Sequence, residues 1–321
     1  MKTPKIIYAT AGLLVSLVFS CSMEKQLAPA SGKQGEIIVI IDRALWTSAC
    51  GDSLRHYLSY PVYGLPQAEP VFTLLQQSSL TGVTRQLRNI IMVNIEEGPS
   101  GLSSQTDVYS KGQLIFKLHA SCVDSIIACA NRYRETLINR FLVKDRNDYI
   151  NYFRRVTGEK NAGKVMEKFQ VSMSIPKEYS LDVEKDDFFW FAREEKDMIM
   201  GILMWKEPYV SVEQVDTSRL LAKLNAMTKK YVPTTGNSWM RTETMIPPAV
   251  KTYRKNNVYS VQMNGLWKSV MGGGPYVSVS IVDVHRSQIV TAMGFVFFPR
   301  KEKRDYVRML EAILFTMEPA P

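Results

Sequence analysis

The chain has 321 residues, 45% of them hydrophobic, with 40 Lys and Arg against 31 Asp and Glu and a formal charge of +9. This composition excludes collagen, coiled coil and wholesale disorder, and four cysteines are too few for a disulfide scaffold. At roughly 100 to 200 residues per domain, the length predicts about two domains, each large enough to bury its own core.

At the N-terminus, Lys2 and Lys5 precede an apolar stretch from Ile6 to Phe19, and Cys21 follows Ser20 directly. A positive segment before a short apolar run reads as an export signal, because a membrane span needs about 20 apolar residues. Val18, Phe19 and Ser20 resemble the lipobox of bacterial lipoproteins, which implies lipidation of Cys21, although Phe19 is bulkier than that pattern prefers. Acyl chains on Cys21 would anchor the protein to a membrane. Residues 1–20 are therefore read as a signal peptide and 21–35, with Pro29, Ser31, Gly32 and Gly35, as a flexible lipidated tether. Ser22 is not the aspartate that retains many lipoproteins in the inner membrane, and Met23, Glu24 and Lys25 are not an acidic run. Both points favour an outer-membrane lipoprotein facing the periplasm. Loss of residues 1–20 removes two lysines and no acid, so the mature chain stays basic. That charge suits anionic lipid, glycan or peptidoglycan, and nucleic acid is not expected as a partner.

The run Glu36 to Asp42 (EIIVIID) predicts a central strand covered on both faces. Helix or turn follows over Ser48 to Tyr60, then a Pro/Gly stretch through Pro61, Gly64, Pro66 and Pro70. Strands are predicted at Val71 to Gln76, Ile90 to Ile95 and Gln113 to His119, with Glu97 to Lys111 as a polar loop. Ser121 with Asp124 resembles a capping box. Ile126, Ala130, Tyr133, Leu137 and Phe141 then recur at helical spacing, and further helices are expected at Asp145 to Val156 and Ala162 to Phe169. Strands are predicted at Val171 to Ile175, Phe188 to Arg193 and Met198 to Lys206, a helix at Thr217 to Tyr231, and a strand meander at Val258 to Val270, Tyr276 to Val284 and Ile289 to Phe298. Pro299 introduces a last helix with an apolar stripe of Tyr306, Leu310, Ile313, Leu314 and Met317. These elements predict an α+β fold of two packed halves, 36–160 and 161–321, each a mainly antiparallel sheet covered by helices.

The stretches GEIIVIIDRALW (Gly35 to Trp46), GLPQAEPVF (Gly64 to Phe72), RNIIMVNI (Arg88 to Ile95), GLWK (Gly265 to Lys268), GGPYVS (Gly273 to Ser278) and GFVFFPRKEKRDYVRMLEAILF (Gly294 to Phe315) span most of the mature chain. Through them the chain resembles a family of uncharacterised Bacteroidetes lipoproteins, a domain of unknown function. The resemblance implies an envelope lipoprotein and carries over no catalytic residues.

No motif nominates an enzyme. Gly158 to Lys164 (GEKNAGK) has P-loop spacing, but Val165 replaces the Ser/Thr that would hold magnesium, and the preceding residues look helical. His56, His119 and His285 stand in unrelated contexts, so neither a metal nor another cofactor is expected. Cys122 and Cys129 lie about 10.5 Å apart along one helix, too far for a disulfide, so any bridge would use Cys50. Cys122, near a helix start, is a candidate lowered-pKa thiol, with burial of the cysteines as the commoner outcome. The aromatic run FFWF (Phe188 to Phe191) reads as core.

Two stretches resist a bland reading. Arg300, Lys301, Lys303, Arg304 and Arg308 put cations at a helix start, where they oppose the macrodipole, and they are a candidate contact for an anion or a partner. Trp267 with Gly272, Gly273 and Gly274 forms a candidate ligand loop, since three glycines permit close approach of backbone to a ligand. The functional expectation is a non-catalytic envelope module that binds a partner protein or an anionic polymer. The alternative is a hydrolase of envelope material with a dispersed carboxylate or serine site.

Overall fold

The structure, a computed structural model, describes residues 27–321. Cys21, the apolar stretch before it and the first part of the tether, residues 21–26, lie outside the described residues. Among the described residues no helix is long and apolar enough to cross a membrane.

The first half is built on Glu36–Ile40 (β1), whose apolar side chains are all buried. Ile37 and Val39 face a large core with Leu54, Phe116 and Phe141, while Ile38 and Ile40 face a smaller cluster with Ile90 and Ile115. Arg43–Trp46 (α1) and Ala49–Leu58 (α2) then lead to Thr73–Gln77 (β2). Asp42 and Ser48 start these helices by accepting from backbone N–H groups two or three residues ahead. Asn89–Ile95 (β3), Gly101–Thr106 (β4) and Leu114–Ala120 (β5) complete a five-stranded sheet in the order β2-β1-β3-β5-β4.

The α+β class expected from the sequence holds, but the pairing expected in this half does not. β2, β1, β3 and β5 are mutually parallel, and only β4 runs antiparallel to β5. Parallel strands joined by crossovers are covered on both faces, and the unbroken apolar run of β1 already carried that signature. β4 (GLSSQT), inside the stretch expected to be loop, is a largely exposed edge strand with no apolar alternation to betray it. The stretch expected to be free tether is partly fastened. Ala30 donates to the Lys111 carbonyl at 2.8 Å, Ser31 to that of Gln86 at 2.8 Å, and Arg88 Nε to that of Gly32 at 2.9 Å.

The halves share one helix, Val123–Arg155 (α3), whose 33 residues span about 50 Å at 1.5 Å per residue. Two helices were expected here. The stretch contains neither Gly nor Pro, so nothing interrupts it. Its start also differs, for Cys122 rather than Ser121 is the N-cap and no side chain caps it. The N-terminal part of α3 packs Ile126, Leu137 and Phe141 into the first core, and its C-terminal part gives Ile150 and Phe153 to the second.

In the second half Glu159–Phe169 (α4) absorbs the P-loop-like stretch into its first turns. Val171–Ser172 (β6) follows, then Ser180–Glu184 (β7), Phe188–Glu195 (β8), Met198–Pro208 (β9), Thr217–Tyr231 (α5), Arg241–Thr242 (β10), Ala249–Lys255 (β11), Val258–Ser269 (β12), Gly272–Asp283 (β13), Gln288–Phe297 (β14), Arg304–Phe315 (α6) and Glu318–Pro319 (β15). The large sheet is wholly antiparallel, as expected, in the order β10-β12-β13-β14-β9-β8-β7 with β11 also on β12. α6 and α4 cover one face and α5 the other. FFWF is core on both sides, with Phe189 and Phe191 in one cluster and Phe188 and Trp190 in the other. β6 and β15 pair and tie the C-terminus back to the end of α4.

Phe141 is fully buried and meets Phe72 and Phe116 edge-on at 5.9 and 5.2 Å. Phe141→Ala is expected to cost about 3 to 5 kcal/mol, read as a lowered midpoint of chemical unfolding.

Candidate functional site

The basic run Arg300 to Arg308 does not form an outward-facing patch. Arg300 and Lys301 are exposed, but Lys303 and Arg304 are buried and Arg308 is partly buried, because this segment is where the halves dock. Glu69, buried at 4% exposure, reaches from the first half to the start of α6. Its two carboxylate oxygens accept from the backbone N–H groups of Lys303 and Arg304, each at 2.8 Å. A carboxylate on a helix N-terminus satisfies orphan donors and favours the macrodipole, which answers the unfavourable charges of the basic run. Arg304 Nη1 donates to the Pro70 carbonyl at 2.8 Å and to Thr73 Oγ1 at 3.3 Å, with Nε held by Asp305. Lys303 Nζ donates to Gln67, and Arg308 Nη2 to the Val71 carbonyl. Burial pulls the Lys303 ammonium below the usual lysine range, and burial together with the Arg304 charge lowers Arg308. Three of the five cations expected to meet an anionic partner are thus engaged inside the protein.

The candidate ligand loop is also accounted for by packing. Trp267 is buried among Phe295 and Phe297, and Gly272 to Gly274 are strand residues of β13 paired with β12. A Cβ on Gly273 would lie 2.4 Å from the Trp267 carbonyl oxygen, and one on Gly274 would lie 2.0 Å from that of Val296. Crowding between neighbouring strands therefore demands these glycines. Of the cysteines, Cys50 and Cys129 are buried free thiols raised by desolvation. Cys122 is exposed, and its hydrogen bond to Ser125 lowers it. The three histidines sit on separate elements, α2, β5 and the β13–β14 turn.

The docking of the halves leaves an open cleft of about 520 Å³ between α3, α6, the segment before β2, and β11 to β13. Sequence reasoning did not find it, because its walls come from segments up to 250 residues apart that carry no shared motif. Asp145 of α3 lies at its base, 1% exposed. It accepts from Gly35 N at 2.7 Å and Asn89 Nδ2 at 3.0 Å, so the first half and the start of the body both rest on it. Desolvation raises this carboxyl above the ordinary aspartate range, with the two hydrogen bonds opposing. Next to it on α3, Arg146 reaches α6, lying 3.6 Å from Glu311 and over the Phe315 ring at 4.3 Å. Tyr63 closes one side with a hydrogen bond to the Pro247 carbonyl at 2.6 Å. Apolar side chains make up much of the remaining lining, among them Leu65, Leu142, Val143, Val250 and Val307. Among the described residues no Ser, Thr, Cys or His lines the cleft; its titratable groups are the carboxyls of Asp145 and Glu311, Lys251, three arginines and four tyrosines.

Residues 158–316 match the family model described as Domain of unknown function (DUF4837). Residues 30–154 match a second, Domain of unknown function (DUF8532). The two matches meet at the end of α3, so the shared helix belongs to the first domain and docks into the second. No curated protein matches the chain. Among solved structures the chain is similar to the Ran-binding protein Mog1p of Saccharomyces cerevisiae, at 7% identity and TM-score 0.32 over 47% of this chain and 90% of that one. It is also similar to LpqN, involved in cell envelope biogenesis of Mycobacterium tuberculosis, at 9% identity and TM-score 0.30 over 47% and 83%. Likenesses this low carry no argument about fold or function.

Two outcomes follow from the docking geometry. Glu69→Ala is expected to destabilise the protein by about 2 kcal/mol by uncapping α6, whereas Glu302→Ala, on the exposed side of the same segment, changes stability by less than about 0.5 kcal/mol. Equilibrium unfolding of both variants reads this contrast. Asp145 binds its proton more tightly folded than unfolded, so its contribution to stability falls as pH rises from the ordinary aspartate value through the raised one. The unfolding free energy of the wild type, followed across that window beside that of Asp145→Asn, should show this downward slope, and that of the variant should not.

Proposed function

We propose that this protein is a lipid-anchored envelope protein of the outer membrane, facing the periplasm, and that it acts as a non-catalytic binding module through the cleft between its halves. The anchor reading rests on the apolar stretch ending at Cys21. Because the body is already fastened at residues 28–32, the seven steps from a lipidated Cys21 to Ala28 would reach at most about 25 Å, holding the body close to the bilayer. The observation that carries the binding reading is the cleft itself. It is a concave, largely apolar space of about 520 Å³ with a few charged groups in its lining, within the size range of ligand sites.

A photoreactive amino acid placed at Val143, on the exposed cleft wall, is expected to crosslink a ligand in growing cells, while the same residue at Lys301 in the exposed basic segment yields none. Equal yields at both positions would overturn the cleft, and turnover of purified peptidoglycan by the protein would replace binding with hydrolysis. The anchor is read separately. Radiolabelled palmitate should enter the wild type and not Cys21→Ala, and protease applied to intact cells should leave the protein whole.

A further inference from the structure

Arg308 is a partly buried cation in the cleft wall whose charge is incompletely answered. Nη2 donates to the Val71 carbonyl, but Nη1 is buried without a hydrogen-bond partner, packed so closely on Gly35 that a Cβ there would lie 2.7 Å away. No carboxylate among the described residues forms an ion pair with it. The near one, Asp145, already accepts from Gly35 and Asn89, and Arg304 beside it adds a like charge. A buried donor left unmade is costly, more so on a charged group, and calls for a partner such as a water or an anion. Lys251 of β11, also in the cleft lining, is exposed and likewise without an ion pair among the described residues.

The mouth of the same cleft gathers exposed apolar side chains. Tyr60, Tyr63, Val143 and Val250 are 43, 56, 44 and 42% exposed, and all four line it. Isolated surface apolar residues are ordinary, whereas convergence from three separate segments onto one concavity marks a binding surface. A volume of about 520 Å³ accommodates a small molecule and not a folded domain.

We infer that the cleft takes a single-chain anionic amphiphile, its carboxylate or phosphate held on the side of Arg308 and Lys251 and its apolar chain lying along Tyr63, Val143 and Val250. This rests on the binding-cleft reading and adds the ligand class to it. The arrangement selects for charge and chain together, because the cations alone would hold any small anion and the apolar wall alone any detergent.

The test uses the full-length protein in its own membranes, labelled with a diazirine-bearing dodecyl phosphate or dodecanoate and mapped by mass spectrometry. Adducts are expected on the cleft residues of α3 and β11. They should be competed by unlabelled dodecyl phosphate and dodecanoate but not by neutral dodecyl maltoside or inorganic phosphate. Lys251→Glu, a change at an exposed position, should weaken labelling about tenfold, and Arg308→Gln at least as much. Lys251→Glu keeps the test decisive where Arg308→Gln fails to fold. Equal competition by the maltoside would overturn the anionic requirement, competition by inorganic phosphate alone would overturn the chain, and adducts confined to other surfaces would overturn the site. Capture through Val143 in growing cells that none of these amphiphiles displaces would sink the ligand class while leaving the binding cleft standing. Absence of any capture there would remove both.

Discussion

The carboxylate of Glu69 against the first turn of α6 is the contact on which the arrangement of the two halves depends. A helix that begins with Lys303 and Arg304 sets cations against the positive end of its own dipole, and a buried carboxylate across its N-terminus reverses the sign of that local field. Once Glu69 is seated, Pro70 and Val71 present carbonyls to Arg304 and Arg308, so three consecutive residues of the first domain are held by Arg304 and Arg308 of α6 and by its N-cap Lys303. The basic run is therefore a docking element inside one chain.

α3 supplies the second constraint. A single uninterrupted helix donates side chains to both cores and forms one wall of the cleft, across from β11. Asp145 sits on α3 where the two cores give way to each other. Its two hydrogen bonds, from Gly35 and Asn89, bind the entry of the chain into the body to that same point. The start of the described chain is thus tied to the base of the cleft.

The second sheet shows how much of the glycine and aromatic content serves packing. Gly201 lies so near Phe295 that a Cβ there would be 2.1 Å from the ring, and Gly273 and Gly274 are crowded by neighbouring carbonyls. Residues that look available for a ligand in sequence are, in this sheet, the means by which wide aromatic side chains fit between close strands. The open space lies instead at the seam between the domains, walled by α3, α6 and β11 to β13.

The sequence alone determined the α+β class, the position of most strands with strong apolar runs, the whole of α5, and the burial of FFWF, because these depend on local periodicity and hydrophobicity that neighbouring residues carry. It also held the clue to the two-sided burial of β1, though not to its parallel partners, since pairing direction depends on crossovers rather than on residue type. The polar edge strand β4 left little trace, for an edge exposed to water needs no alternation, whereas β7 (SLDVE) does alternate but is only five residues long. Only the tertiary structure decided what the cations of α6 meet, because Glu69 is 234 residues from Lys303 and looks in sequence like any acid in a loop. The cleft was likewise beyond the sequence: its walls are assembled by docking, and docking follows from which buried charges find partners.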